Sequence, residues 1–421
     1  MNPILKKTMM RIPAIGKYAR HIRALSAGLE SRDIELGRLR ALIAGSRSPG
    51  LFDTAEDFLT ERLTAHPIRN PLPSVALSSH GAVPDANRIK IAERLIDAYH
   101  KALADEHQSP LKRTSEDLWT GLLRQELPEL MRTIDQRDPE RLANFLMNFG
   151  QSYVWFGGIT TCVDGYNRNL DPRHVALSYH DKMICLAEFL GVLRTENPES
   201  GPWGDNVYAD IDSVVDAIED ELRIDIAPPL GIIHTEGLVT QKGLFHYRHI
   251  NALYSAIKVS RLNPGKSAVC EFGGGLGLTA MYARRLGVLD YTILDLPITC
   301  LLAGHYLLQA LGEEQVSLYG EDLRPGAVKL LPYWEILNVP SSSVEISVNQ
   351  DSFPEISENL VLEYLTHIKR ISTGYFLSIN HECFHPHTVF NCARRSGGFE
   401  LIDRSRCWVR EGYVDEVYRT S

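Results

Sequence analysis

Ala268-Val-Cys-Glu271-Phe-Gly273-Gly274-Gly275-Leu-Gly277 is the stretch on which the fold turns. A short apolar strand, Ala268–Phe272, runs into glycines and then into a helix ending near Gly287, the context a nucleotide-binding glycine turn requires. Glycine opens backbone angles closed to other residues and lets the main chain come close to a ligand. Reading outward, the next strand is Tyr291–Leu294 and the next helix Pro297–Leu311. Val316–Tyr319, Val344–Val348 and Tyr375–Ile379 read as further strands, with a helix from Asn359 to Ile371 before the last. Phe399–Ile402 and Val414–Tyr418 are extended. Alternation of this kind predicts an α/β fold whose parallel sheet is covered on both faces.

Two acids sharpen the reading. Glu271 ends the first strand immediately before the glycines. A dinucleotide would set a pyrophosphate at this helix N-terminus, where a neighbouring carboxylate repels it. A cationic ligand reverses the sign. Asp295 ends the following strand in Tyr-Thr-Ile-Leu-Asp-Leu-Pro, where a carboxylate can accept both hydroxyls of a ribose. Asp295 therefore points to an adenosine, and Glu271 to a positively charged one.

Glu-x-Gly-x-Gly-x-Gly followed by a strand ending in Asp resembles the class I S-adenosylmethionine-dependent methyltransferases. Asp-Leu-Pro after the second strand is similar to the small-molecule O-methyltransferases. His246-Tyr-Arg-His249, Asn349-Gln-Asp-Ser352-Phe-Pro-Glu355 and Ser378-Ile-Asn380 together resemble bacterial sugar O-methyltransferases of surface-polysaccharide clusters. The resemblance covers residues 205–421 and implies a Rossmann-like, seven-stranded domain. It implies S-adenosylmethionine bound by Glu271, Gly273, Gly275, Gly277, Asp295 and Leu296, with Asn349 beside them. Asp322, in Gly320-Glu-Asp, falls where such enzymes contact the adenine.

Methyl transfer to a hydroxyl is an in-line displacement, so alignment and a positioned base do the work. In a doubly wound sheet these groups sit beyond the carboxyl ends of the strands. His381 is the first candidate base, because imidazole titrates near working pH and Asp351 or Glu382 could orient it. Asp351 is the second. Ser352, Glu355 and Asn380 are candidate substrate contacts, or caps and loop fasteners. Arg248 could pair with the carboxylate of a methionine moiety, and Tyr247 could lie over the methyl or a sugar ring. Asp351, Glu355, Glu382 and the loop histidines, His385 among them, could ligate a metal, but none is expected.

The 421 residues suffice for two cores. We expect a basic helical segment over 1–50, a helical domain over 51–204 and the α/β domain over 205–421. Ile89, Ala92, Leu95, Ile96, Tyr99 and Leu103 form one helical stripe, Asp138-Pro139 opens a helix through Phe149, and others run over 175–193 and 210–222. Lys6, Lys7, Arg11, Lys17, Arg20 and Arg23 precede the first acid, Glu30, so this segment could rest on anionic lipid, on its own domain or on a second copy. A net charge of −9 argues against nucleic acid as a partner. Seven scattered cysteines without a CxxC pair point to a reducing, cytoplasmic setting, peripheral to the inner membrane face if the basic helix binds lipid. The expected activity is O-methylation of a sugar hydroxyl on a nucleotide-sugar or glycan precursor. The rivals are methylation of a non-sugar metabolite, a non-catalytic scaffold, and a nicotinamide oxidoreductase that Glu271 disfavours.

Overall fold

The computed structural model describes residues 72–78, 84–111, 127–150, 154–156, 159–161, 172–196, 205–206, 209–233, 236–383 and 386–420. The expected basic helix over 1–50, with its lipid or dimer contact, lies outside the described residues, as does His385. Before the main sheet the chain forms β1 (Val75–Leu77), α1 (Ala86–Glu106), α2 (Pro128–Asp135), α3 (Pro139–Met147), the pair β2 (Val154–Phe156) and β3 (Ile159–Thr161), and α4 (Pro172–Leu190). Then come α5 (Ile211–Leu222), β4 (Glu236–Thr240), β5 (Gly243–Phe245) and α6 (Tyr247–Leu262). The main α/β run is β6 (Val269–Phe272), α7 (Leu278–Arg285), β7 (Tyr291–Asp295), α8 (Pro297–Leu311), β8 (Val316–Leu318) and β9 (Val328–Pro332). It continues with β10 (Val344–Gln350), α9 (Glu358–Ile371), β11 (Ser372–His381), α10 (Val389–Ser396), β12 (Phe399–Arg406) and β13 (Tyr413–Thr420).

Local chemistry starts these helices. Asp85, Asp138 and Asp210 each accept a backbone N–H three residues on, at 2.8, 3.0 and 3.1 Å, which satisfies one orphan donor of α1, α3 and α5. Pro139 stands at the first position of α3, where its missing N–H costs nothing.

The main sheet has eight strands in the order β12-β13-β11-β10-β6-β7-β9-β8. The six from β11 to β8 run parallel, and β13 joins antiparallel between β11 and β12. The expected count of seven is corrected by Val328–Pro332. This run takes the place beside β7, in register Tyr291↔Val328, and leaves Val316–Leu318 as an outer edge. The chain steps from β6 outward through β7, then returns to β10 on the other side. That reversal opens a crevice at the carboxyl ends of β6 and β10.

Residues 70–421 form one compact unit. Helix α1 buries Ile91, Leu95, Ile96 and Tyr99. It lies so close to α8 that a Cβ on Gly304 would come 2.6 Å from Leu95 Cδ2. The helical stripe therefore covers the sheet's own helical layer. A second, three-stranded antiparallel sheet, β1-β4-β5, precedes α6. No described helix is long and apolar enough to cross a membrane.

Candidate active site

A cavity of about 220 Å³ opens at the carboxyl ends of β6, β7 and β10. Of the residues expected at a site, Glu271, Gly273, Gly275, Asp295, Leu296, Arg248, Asp351, Ser352 and Glu355 line it. Gly277, Asp322, Asn349, Asn380, Tyr247, His381 and Glu382 are not among its lining residues.

The glycine turn is built for closeness. Gly273 has φ +75°, and a Cβ there would collide with the side chain of Ser352. Its N–H donates to Leu294 O at 2.9 Å, tying the turn to β7. Asp295 accepts from the backbone N–H of Gly275 at 3.0 Å and of Leu296 at 2.7 Å, so its carboxylate is set by the turn it faces. Gly277, also at positive φ (+78°), has a different cause: a Cβ would lie 2.7 Å from Leu307 Cδ1 on α8. Packing against α8 is thus the reason a side chain is excluded here.

Glu271 is 2% exposed and accepts from the Tyr291 hydroxyl at 3.0 Å. Burial pushes its carboxyl up to about 7; hydrogen bonds from Tyr291 and Thr279 pull it down, and Asp295 adds a push upward. The site thus holds a carboxyl that burial makes reluctant to ionise and that a cation would ionise.

Asp351 adopts the left-handed conformation at φ +61°. Arg248 donates to its Oδ2 at 2.9 Å, Arg410 to the same oxygen at 2.8 Å, and the Tyr413 hydroxyl to Oδ1. Burial alone would push this carboxyl up; Arg410 and Arg248 outweigh it and hold it below the usual range. A carboxylate so held is a poor proton acceptor, so the expectation of Asp351 as base gives way to that of an orienting group. Arg248 likewise spends a guanidinium arm on Asp351.

His381 ends β11, with Nε2 4.0 Å from Asp351 Oδ1 and Nδ1 2.9 Å from Cys383 O. A carbonyl only accepts, so Nδ1 carries a proton. Asp351, Glu355 and His381 can bring ligand atoms within 4.8 Å of one another. A cation there would compete with two guanidiniums for Asp351.

The other expected contacts serve the scaffold. Asn349 is fully buried; its amide donates to Phe272 O at 2.9 Å and Ser352 Oγ at 2.6 Å, fastening β10 to the glycine turn. Asn380 donates to Asn349 Oδ1 at 2.9 Å. Both carboxylate oxygens of Glu382 accept from Arg404 Nη2, at 2.8 and 2.9 Å. Tyr247 packs against Tyr179 and His246, with ring centroids 5.6 and 4.5 Å away. Asp322 is exposed beyond the edge strand β8. The residue that follows the strand beside β7 is instead Tyr333, and Tyr333 lines the cavity.

Three polar lining residues were given no role of their own by the sequence reading. His246 caps α6, its Nδ1 accepting from Arg248 N–H at 3.2 Å. His249 Nδ1 lies 3.1 Å from the Tyr282 hydroxyl, which gives its one proton to Ile226 O at 3.1 Å. His249 must therefore donate through Nδ1, leaving the lone pair on Nε2. Burial, with Arg285 nearby, takes this imidazole down to about 3, so it is neutral. The third, Asn251, is 2% exposed, and neither atom of its amide head has a hydrogen-bond partner. The His-Tyr-Arg-His run signalled the first two; nothing in the pattern marked Asn251.

An adenosine carrying a positively charged amino-acid tail fits this donor set. A carboxylate stands at the ribose position, a buried acid beside the turn, close-packed glycines leave the main chain open, and a buried amide lacks partners. No protein-family profile and no curated protein matches the chain. Among solved structures, it is similar to magnesium protoporphyrin IX methyltransferase from Synechocystis PCC 6803 with S-adenosylmethionine bound, at 10% identity and a TM-score of 0.31 over 41% of this chain and 82% of that one. It is similar to the pyocyanin biosynthetic protein PhzM at 14% identity and TM-score 0.31, over 41% of this chain and 56% of that one. A TehB-like S-adenosylmethionine-dependent methyltransferase from Corynebacterium glutamicum is similar at 15% identity and TM-score 0.32, over 40% of this chain and 88% of that one.

Proposed function

We propose that this chain is an S-adenosylmethionine-dependent O-methyltransferase acting on a sugar hydroxyl. The observation that carries the reading is the pair of carboxylates at the glycine turn: Glu271 buried beside it and Asp295 fixed by the N–H groups of Gly275 and Leu296. S-adenosylmethionine supplies a methyl group on a positively charged sulfur. Asp295 accepts the ribose hydroxyls, Leu296 and Tyr333 flank the base, and Glu271 faces the positive end.

The acceptor lies against Arg248, Asp351, Ser352 and Glu355, a polar wall suited to hydroxyls. His381 Nε2 takes the hydroxyl proton, oriented by its Nδ1–H bond to Cys383 O, and the Asp351 that Arg248 and Arg410 hold ionised stabilises the imidazolium that forms. His249, inside the cavity with its own lone pair, is the second candidate. A non-sugar acceptor is favoured by the apolar side chains of Pro228, Pro229, Leu230, Ile233 and Leu244, which line the same cavity.

The test is incubation with methyl-labelled S-adenosylmethionine and two acceptor panels, nucleotide-sugars and phenolic or polyketide alcohols. Label in a nucleotide-sugar supports the reading. Label only in the second panel moves the acceptor class. Binding of the cofactor without transfer to either panel favours a scaffold, and tight binding of NAD in its place ends the proposal.

A further inference from the structure

We propose that Asn251 grips the amino-acid end of S-adenosylmethionine, one amide atom on the α-ammonium and the other on the α-carboxylate. The inference rests on the cofactor reading above and assigns a residue that neither the glycine motif nor the Asp strand contains.

Asn251 sits in the middle of α6, 2% exposed, with Nδ2 and Oδ1 both lacking hydrogen-bond partners, and it lines the cavity. Native proteins leave few buried polar groups unpaired, because each forfeits its contacts with water. An amide needs a donor and an acceptor together. Ammonium and carboxylate on one carbon offer that pair.

Position selects this end of the ligand. The ribose is assigned to Asp295 on β7, and the base lies beyond it toward β9, at Tyr333. The tail therefore runs the other way, across β6 toward β10. Helix α6 follows that line. Arg248, one turn before Asn251, bonds Asp351, and Ser255, one turn after, donates to Gln350 Oε1 at 2.7 Å. Both partners lie at the carboxyl end of β10, so Asn251 stands above that strand end, next to the end of β6 where Glu271 waits. Ala252, beside it on the helix, lines the same cavity and leaves room for the ligand.

The test crosses a residue change with a ligand truncation. S-adenosylhomocysteine keeps the amino-acid end, and 5′-methylthioadenosine lacks it. By calorimetry, Asn251→Ala is expected to weaken S-adenosylhomocysteine about ten- to hundredfold, the range for hydrogen bonds to charged groups, and to leave 5′-methylthioadenosine within about twofold. Because the amide makes no bond in the ligand-free protein, Asn251→Leu is expected to melt at or above the wild-type temperature while showing the same selective loss. Equal weakening of both ligands, or of neither, overturns the assignment and leaves the cofactor reading standing. A wild-type protein that binds neither ligand overturns both.

Discussion

Glu271→Gln separates two consequences of one buried charge. Its carboxyl is displaced from an ordinary 4.5 to about 7 by burial, so keeping it ionised in the ligand-free protein costs roughly 3 kcal/mol at about 1.36 kcal/mol per pKa unit. In the unfolded chain the proton leaves near 4.5, and in the folded chain near 7. Between those values the folded state holds more protons, so ligand-free stability falls as pH rises through that window. Glutamine keeps an acceptor for the Tyr291 hydroxyl and removes the charge. Denaturant unfolding is therefore expected to show Glu271→Gln more stable than wild type above pH 7, by up to about 3 kcal/mol, and equal to it near pH 4.5.

Binding should run the opposite way. A cationic ligand favours the ionised carboxyl, so wild-type affinity for S-adenosylmethionine should rise up to about tenfold per pH unit between 5 and 7. One proton should be released per ligand at the acid end, below the range where an α-amino group itself titrates. At pH 7.5 the glutamine variant should bind about ten- to hundredfold more weakly, with a flat profile below it. Calorimetry in two buffers of different ionisation heat measures affinity and proton release together. Wild-type affinity that ignores pH in this window, or a variant that binds as tightly as wild type, refutes the charge argument.

Asp295→Ala removes the proposed ribose acceptor and releases two turn N–H groups; calorimetry should show at least about a hundredfold loss of cofactor affinity, with Asp295→Asn intermediate. Gly277→Ala adds a Cβ at positive φ against Leu307; unfolding in urea should report a loss of about 1–3 kcal/mol, while affinity per folded molecule stays within about twofold, since Gly277 does not line the cavity. His381→Ala should lower kcat about 10²–10⁴-fold with cofactor affinity unchanged. If His249→Ala alone shows that loss in the same steady-state assay, the proton goes to His249.

What the sequence disclosed was whatever local pattern writes down. The glycine turn, Asp295 and the strand–helix rhythm from 268 onward depend on neighbours in the chain, and their order could be read directly. Val328–Pro332 was missed because five residues with two prolines close by look like loop until β7 supplies their partner; with it went Tyr333, which lines the cavity where Asp322 does not. Polar side chains after β10 and β11 looked equally available. Only packing distinguishes Asn349, spent on Phe272 and Ser352, from Glu355, which lines the cavity. Asn251 sits in the middle of an otherwise ordinary helix, and its unmet bonds exist only in three dimensions.

Asp351 shows how two independent constraints leave a position almost no alternatives. Its left-handed backbone admits glycine, asparagine or aspartate at little cost and penalises other side chains by roughly 1–2 kcal/mol. Its partners, two guanidiniums and a phenol, demand a carboxylate. Glycine and asparagine satisfy the first demand and fail the second, whereas glutamate does the reverse. The two sets overlap at a single amino acid, so a library of all substitutions at 351 should return one functional residue even under weak selection.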